Sequence, residues 1–417
     1  MISIGEFYIA KKKFHSSRNP VTLYVLVWNV MIFLYELPLV YYHEITLLTW
    51  LTVIVFQGIF VVTCLFGGNY LIKSNQWPTD NSAVERNRLG KVVVALTFVA
   101  AIAIVPNFFF FIQKYSFEFM DQMNNVYNDR LMNNRGYETI PYLGTLVYLA
   151  VMLSGVYARR FGFNKIILFP LLMSLMDTLP GGGRSGIIIE ILLFALPFYL
   201  FGNKQKGAIK VKRVISNRRK TMIVAGLSIV ALTAVFWKMS SVRSRWIGVN
   251  QYMTDTMVDL VQFSPTIYKT YTYITMPFVA LSEYLKNPDY LFGINTFGMF
   301  YNLLNKVGFS LPYQRYQIAY YVPMACNTAT YIRELVQDFT YVGGVVAVAV
   351  LGFIMGLNYN MVRVKKDIGA EGISTILGTI IVMSFFVFFL RETVFWVMLI
   401  VLPVCIKYVY AYERKDK

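Results

Sequence analysis

The sequence predicts an all-α polytopic membrane protein with about ten transmembrane helices and one long helical outer loop, and three observations predict it. Of the 417 residues, 57% are apolar and only 15% charged, against roughly a quarter charged in soluble proteins. Apolar runs of membrane-spanning length recur along the chain. Lys and Arg gather in alternate connecting segments, the pattern that orients membrane helices. The formal charge of +17 would suggest a nucleic-acid binder only as a patch on a soluble surface. The alternation assigns it to topology instead, so no nucleic-acid partner is expected.

Ten spans follow in order: Val21 to Val40, Ile45 to Phe66, Gly90 to Ile112, Tyr142 to Tyr157, Ile166 to Leu179, Gly186 to Leu200, Thr221 to Trp237, Leu335 to Leu357, Gly372 to Leu390, and Thr393 to Tyr410. Several fall short of the roughly 20 residues an upright helix needs. No small-residue cleavage site closes the first run, which reads as a retained helix and not a signal peptide. With the N-terminus inside, the segments 1–20, 69–91, 158–165, 201–220, 363–371 and the tail from Lys407 are cytoplasmic and hold 26 of the 39 Lys and Arg. Both termini are then cytoplasmic, and Lys11-Lys12-Lys13 and Arg218-Arg219-Lys220 act as topology determinants and contacts for anionic lipid. The chain divides into a first bundle of seven spans at 1–237, a large outer loop at 238–334, and the last three spans with the tail at 335–417.

The outer loop carries its own helical periodicity. Met253, Met257, Leu260 and Val261 recur at helical spacing, a second amphipathic run covers Tyr273 to Leu285 before Asn287-Pro288-Asp289, and a third runs from Thr296 to Val307. Short helices rich in Tyr, Phe and Met suit a protein that handles a lipid-linked substrate at the interface. They suit a simple cap on the bundle equally well.

Charged residues near membrane depth each need a reason, since one costs roughly 3 kcal/mol on insertion scales. Asp177 and Arg184 flank Gly181-Gly182-Gly183, where a tight turn and Arg184 could hold an anion, or where the two charges could pair. Arg243 and Arg245, beside Trp246, are either phosphate-binding forks or interface anchors. Arg333-Glu334 precedes Asp338; Glu334 and Asp338 are i and i+4 and should repel unless a cation or substrate lies between them. Arg391-Glu392 reads as a local ion pair, and Glu36 and Glu190 as functional or simply buried hydrogen-bonding groups. Cys64 and Cys405 lie in apolar runs and only Cys326 in a polar segment, so no disulfide framework or cysteine metal site is available. Walker, dinucleotide and HExxH motifs are absent. The two histidines, His15 and His43, fall outside the long outer segment, which disfavours a His-based metal site or triad there. Asp255 and Asp259 form a weak acidic pair at i and i+4, more in keeping with a solvated face than with a metal ion.

Asn327-Thr328-Ala329-Thr330-Tyr331-Ile332-Arg333 followed by Asp338-Phe339-Thr340-Tyr341-Val342-Gly343-Gly344 resembles the segment entering a late helix of bacterial oligosaccharide repeat-unit polymerases, the O-antigen and capsule polymerases. Thr340 stands where that family often has Gly. Gly181-Gly182-Gly183-Arg184-Ser185-Gly186 is similar to the family's small-residue, Arg-containing turn, and Leu291-Phe292-Gly293 with Thr296-Phe297 to its "G…TF" loop. The resemblance implies an integral-membrane, GT-C-like inverting glycosyltransferase of the bacterial inner membrane. Such an enzyme moves a glycan from undecaprenyl diphosphate to another lipid-linked repeat unit, building O-antigen, capsule or exopolysaccharide. It implies Arg184, Arg243, Arg245, Arg315 and Arg333 as diphosphate and sugar contacts, and Glu283, Glu334 or Asp338 as the base. It implies no cofactor and no metal, because Arg side chains can stabilise the leaving diphosphate. The implied partners are membrane lipid, the lipid-linked oligosaccharide, and chain-length regulator and flippase proteins. An O-antigen ligase is the nearest rival, although that family carries a functional histidine in its outer loop. A lipid-linked oligosaccharide flippase and a scaffold of an export complex are the others.

Overall fold

The computed structural model describes residues 2–70, 82–116, 122–132, 142–180, 185–202, 237–238, 241, 250–312 and 317–411. Among these the fold is all-α apart from one antiparallel hairpin, β1 (Tyr320–Tyr321) with β2 (Ala325–Cys326). The helices are α1 (Ile2–Phe14), α2 (Pro20–Glu36), α3 (Leu47–Gly67), α4 (Ser82–Tyr115), α5 (Met123–Leu131), α6 (Leu146–Phe161), α7 (Leu168–Thr178), α8 (Ser185–Phe201), α9 (Asp255–Phe263), α10 (Pro265–Lys286), α11 (Ile294–Lys306), α12 (Thr330–Lys365), α13 (Ile368–Met383) and α14 (Thr393–Val409).

Local sequence sets the helix ends. The Asn19 side chain caps α2 by accepting from Thr22 N at 2.9 Å, with Pro20 in the first turn where its missing N–H costs nothing. Leu37, ahead of Pro38, takes extended backbone and ends α2 four residues before the predicted Val40. Among the described residues α3, α4 and α12 are long and apolar enough to cross a membrane, and α2, α8, α13 and α14 are shorter apolar helices. The chain is membrane-embedded on this ground. The predicted seventh span, Thr221 to Trp237, lies almost wholly outside the described residues.

Two predicted spans differ in shape. The eighth, expected as one helix over Leu335 to Leu357, belongs to the longer α12, which is broken at Thr340 (φ 64°, ψ 179°). That region of backbone space is essentially reserved for glycine. The ninth, expected to reach Leu390, ends at Met383; an irregular stretch and one 3-10 turn, Phe389–Arg391, follow.

The chain forms two compact units that interleave along the sequence. The first comprises residues 1–73, 247–366 and 376–396; the second comprises 74–246, 367–375 and 397–417. In the first, α3 lies against α12 with backbones in contact: a Cβ on Gly356 would sit 2.0 Å from the Cys64 carbonyl oxygen, and one on Gly352 2.7 Å from that of Phe60. Only glycine permits that approach, the small-xxx-small device of membrane helix pairs. The loop after α2 is stitched to the start of α9 by Tyr41 N donating to Tyr252 O (2.8 Å) and Thr254 N to Leu39 O (3.3 Å). Val40, Met253, Met257, Val261, Tyr268 and Tyr271 close over this seam, so the apolar stripe read from 253 to 261 is a core face. In the second unit α4, α7 and α8 pack on α6, whose residues Val147 to Ala158 are buried throughout.

Candidate functional site

The first turns of α12 carry the polar residues that the sequence singled out. Thr330 to Asp338 are all buried, which places Arg333, Glu334 and Asp338 inside the first unit. Their surroundings differ.

Asp338 is fully used. One carboxylate oxygen accepts from Asn295 N (2.9 Å) and Asn295 Nδ2 (3.0 Å), the other from Thr296 N and Thr296 Oγ1 (2.6 Å each). These amides belong to the first turn of α11, where backbone N–H groups lack helical partners and a carboxylate is favoured. Asp338 therefore fastens α11 to α12. Glu334 is also satisfied: it accepts from Phe388 N and from the Arg391 guanidinium. Arg391 thus pairs with Glu334 and not with its neighbour Glu392, because the 3-10 turn at 389–391 brings it to α12. The expected repulsion between Glu334 and Asp338 is relieved by separate sets of donors, with no ion required between them.

Gln337, one turn after Arg333, extends the network. Its amide nitrogen donates to both Asp289 oxygens (2.9 and 2.8 Å), and its amide oxygen accepts from Asn295 Nδ2 (3.0 Å) and Gln317 Nε2 (3.1 Å). Buried amides satisfied in this way hold a backbone arrangement rigidly.

Arg333 stands apart. It is 1% exposed, and its guanidinium lies between two aromatic faces, 5.0 Å from the Tyr320 ring centre and 5.4 Å from that of Tyr284. One terminal nitrogen donates to Ile318 O at 3.2 Å, while Nε is buried without a hydrogen-bond partner. Among the described residues no carboxylate lies within 4 Å of it. A buried guanidinium with one polar partner retains donors for an anion. The hairpin β1–β2 supplies Tyr320 and α10 supplies Tyr284, whose hydroxyl donates to Asp289 O at 2.9 Å. Burial pushes the Tyr284 and Tyr320 hydroxyls above the ordinary phenol range, and Arg333 partly opposes it, so both stay protonated donors at neutral pH.

Glu283 precedes Tyr284 on α10. It is held by Lys286 Nζ (2.7 and 2.8 Å) and by His43 Nδ1 (3.3 Å). Partial burial raises its pKa, but Lys286 and His43 outweigh this and keep the carboxyl below the usual glutamate range. Of the three predicted base candidates it alone is partly exposed. His43, from the short loop between α2 and α3, was placed by sequence outside the long loop; the fold brings it to that loop's Glu283.

Arg184, Arg243, Arg245 and Arg315, with the turn Gly181-Gly182-Gly183, lie outside the described residues. Asp255 and Asp259 are exposed on α9, and among the described residues no group of three His, Cys, Asp or Glu could hold a metal ion. Sequence reasoning missed His43, Tyr284, Tyr320, Asp289, Asn295, Gln317 and Gln337; only Gln337, one helical turn from Arg333, carried a positional signal. Comparison with known protein families, with characterised proteins and with solved structures returns no match.

Proposed function

We propose that the protein is an integral-membrane glycosyltransferase of the oligosaccharide repeat-unit polymerase kind, transferring a growing glycan from undecaprenyl diphosphate to the terminal sugar of a second lipid-linked repeat unit at the outer face of a bacterial inner membrane. The observation that supports it most is Arg333: a buried cation with spare donors, walled by Tyr284 and Tyr320, at the head of a membrane helix. Diphosphate carries the charge that develops as the glycosidic bond breaks, and a desolvated arginine stabilises it strongly. Tyrosine faces are a common bed for sugar rings, whose C–H groups pack on apolar surface while the hydroxyls reach water.

Glu334 and Asp338 have their oxygens committed to protein donors, so the general base of this reading is Glu283, partly exposed and ionised at neutral pH. A low carboxylate pKa makes a weak base, which is acceptable where the leaving group is already activated. Arg184, Arg243, Arg245 and Arg315 complete the proposed diphosphate and sugar contacts.

His43 beside Glu283 favours one second reading, an O-antigen ligase-type transfer, since a histidine is what the outer loop had lacked for that chemistry. Purified protein supplied with undecaprenyl-diphosphate oligosaccharide separates them. A ladder of lengthened lipid-linked products supports the polymerase, transfer only to a separate glycolipid acceptor supports the ligase, and no transfer to either refutes both. Elongation is expected to persist in EDTA; its loss and restoration by magnesium or manganese would reassign diphosphate stabilisation to a metal.

A further inference from the structure

The second unit holds a feature unconnected with transfer chemistry. A cavity of about 460 Å³ opens beside the N-terminal half of α4, lined by Arg86, Asn87, Lys91, Val94, Ala95 and, from the end of α6 and the one-turn helix after it, Tyr157, Asn164 and Ile166. Its α4 residues recur at 83, 86, 87, 90, 91, 94 and 95, a single helical face. From Ala83 to Ala95 that face extends about 18 Å along the axis at 1.5 Å per residue.

Chemistry changes along this length. The end nearer the α4 N-terminus is basic and amide-rich, with Arg86, Asn87 and Lys91; the other end is apolar, with Val94, Ala95 and Ile166. α4 is itself one of the helices apolar enough to cross a membrane, so the gradient runs from a helix end toward the hydrocarbon. Among the described residues neither cation meets a carboxylate. Among the described residues Arg86 donates to a neutral group alone, Tyr157 Oη at 3.2 Å, which fixes its direction. Lys91 is exposed and makes no ion pair or hydrogen bond among the described residues. By contrast Arg159 and Arg160, two and three residues beyond Tyr157, both close on the buried Glu371 carboxylate. Among the described residues this face thus has positive charge without a carboxylate partner at one end and an apolar trough at the other.

We infer that this cavity binds one anionic phospholipid, with the phosphate between Arg86 and Lys91, the glycerol region beside Asn87 and Asn164, and an acyl chain along Val94, Ala95 and Ile166. Basic pockets among membrane helices recognise anionic headgroups through charge and hydrogen bonding together. A free phosphate could use the polar end only; the apolar end specifies a lipid.

The test is native mass spectrometry of the full chain released from detergent after incubation with dioleoyl-phosphatidylglycerol or dioleoyl-phosphatidylcholine, with inorganic phosphate as a third probe. Phosphatidylglycerol adducts are expected to be retained preferentially. Arg86→Gln with Lys91→Gln should weaken retention roughly 30-fold, taking about fivefold per cation near a membrane surface. Ala95→Phe, at an exposed position, should block the acyl trough and release phosphatidylglycerol while both cations remain. Lys114→Gln, at the far end of α4, should change nothing. Should the double variant fail to accumulate, Lys91→Gln alone and Ala95→Phe carry the test, since neither removes a hydrogen bond. Equal retention of the two lipids, or undiminished retention in Lys91→Gln and Ala95→Phe, overturns the inference. Competition by inorganic phosphate at comparable concentration, insensitive to Ala95→Phe, overturns it in favour of a free-anion site.

Discussion

Two settings for arginine stand in contrast among the described residues. In the second unit Arg159 and Arg160 share Glu371, which is completely buried and receives guanidinium hydrogen bonds from both, at 2.6 Å from Arg159 Nη2 and 2.6 Å from Arg160 Nε. In the first, Arg333 faces two tyrosine rings and a carbonyl. A cation matched by a carboxylate spends most of its donors on architecture, although Arg160 Nη2 is left without a hydrogen-bond partner. A buried cation matched by rings keeps donors in reserve, and the fold bears that cost only where something repays it. The contrast separates structural arginines from functional candidates more sharply than burial does, because Arg391, also in the first unit, is spent on Glu334.

The largest expected effect lies on the structural side. Glu371→Ala leaves two guanidinium groups facing one another without their counter-ion, and removing one partner of a buried pair costs about 3 to 5 kcal/mol. The thermal midpoint and membrane accumulation should both fall; a variant of wild-type stability would place Arg159 and Arg160 in the solvated class. Arg333→Lys should do the reverse. Charge is kept, the two-point fork is lost, and the rate of glycan transfer should drop by about 30- to 1,000-fold, equivalent to roughly 2–4 kcal/mol of transition-state stabilisation. Its cation–π seat is worth about 1 to 2 kcal/mol, so the melting temperature should move little. Normal transfer by the Lys variant, or activity lost only with the folded protein, would return Arg333 to the architectural group.

Thr340→Gly tests the joint just after this site. A threonine held at φ 64° and ψ 179° stores about 1–3 kcal/mol of backbone strain, offset by the entropy that glycine adds to the unfolded chain. The net gain expected is about 1 kcal/mol in chemical denaturation, and a loss of stability would mean that the Thr340 side chain matters more than its backbone.

The smallest effect concerns Glu283. Its folded-state pKa is lowered, so the contribution of the Lys286 and His43 contacts is present above the ordinary value of 4.5 and is lost as the pH falls through the folded value. Glu283→Gln should flatten the stability profile in that acid window and lower stability at neutral pH by at most about 1 kcal/mol, the difference vanishing in acid, as partly exposed pairs are worth little. An unaltered acid limb would show that Lys286 and His43 do not perturb the carboxyl.

Much of the fold was legible because membrane helices advertise themselves by composition: α3, α7, α8 and α14 fall within a few residues of the runs read from hydropathy. The breaks were not. In α12 the one hint of a left-handed residue is that Thr340 stands where the resembled family often has Gly; threonine itself is a poor resident there, and only packing on both sides can hold it. The site was half legible. Arg333, Glu334 and Asp338 stood out as charges entering an apolar run, but which of them are neutralised depends on Asn295, Thr296 and Arg391, between 42 and 57 positions away. His43 and Glu283 are 240 residues apart, a distance over which helical periodicity carries no information.

The glycine contact between α3 and α12 has a consequence for how the chain is made. Cys64 and Gly356 are separated by 292 positions, which at about 5–20 residues per second takes roughly 15 to 60 s to synthesise. During that interval α3 must persist in the bilayer without the partner against which its Cys64 carbonyl will lie. A helix can do so because its backbone hydrogen bonds are closed within itself. The first unit is therefore assembled late, by association of segments already inserted, and its polar network around Arg333 cannot exist until translation has passed residue 391.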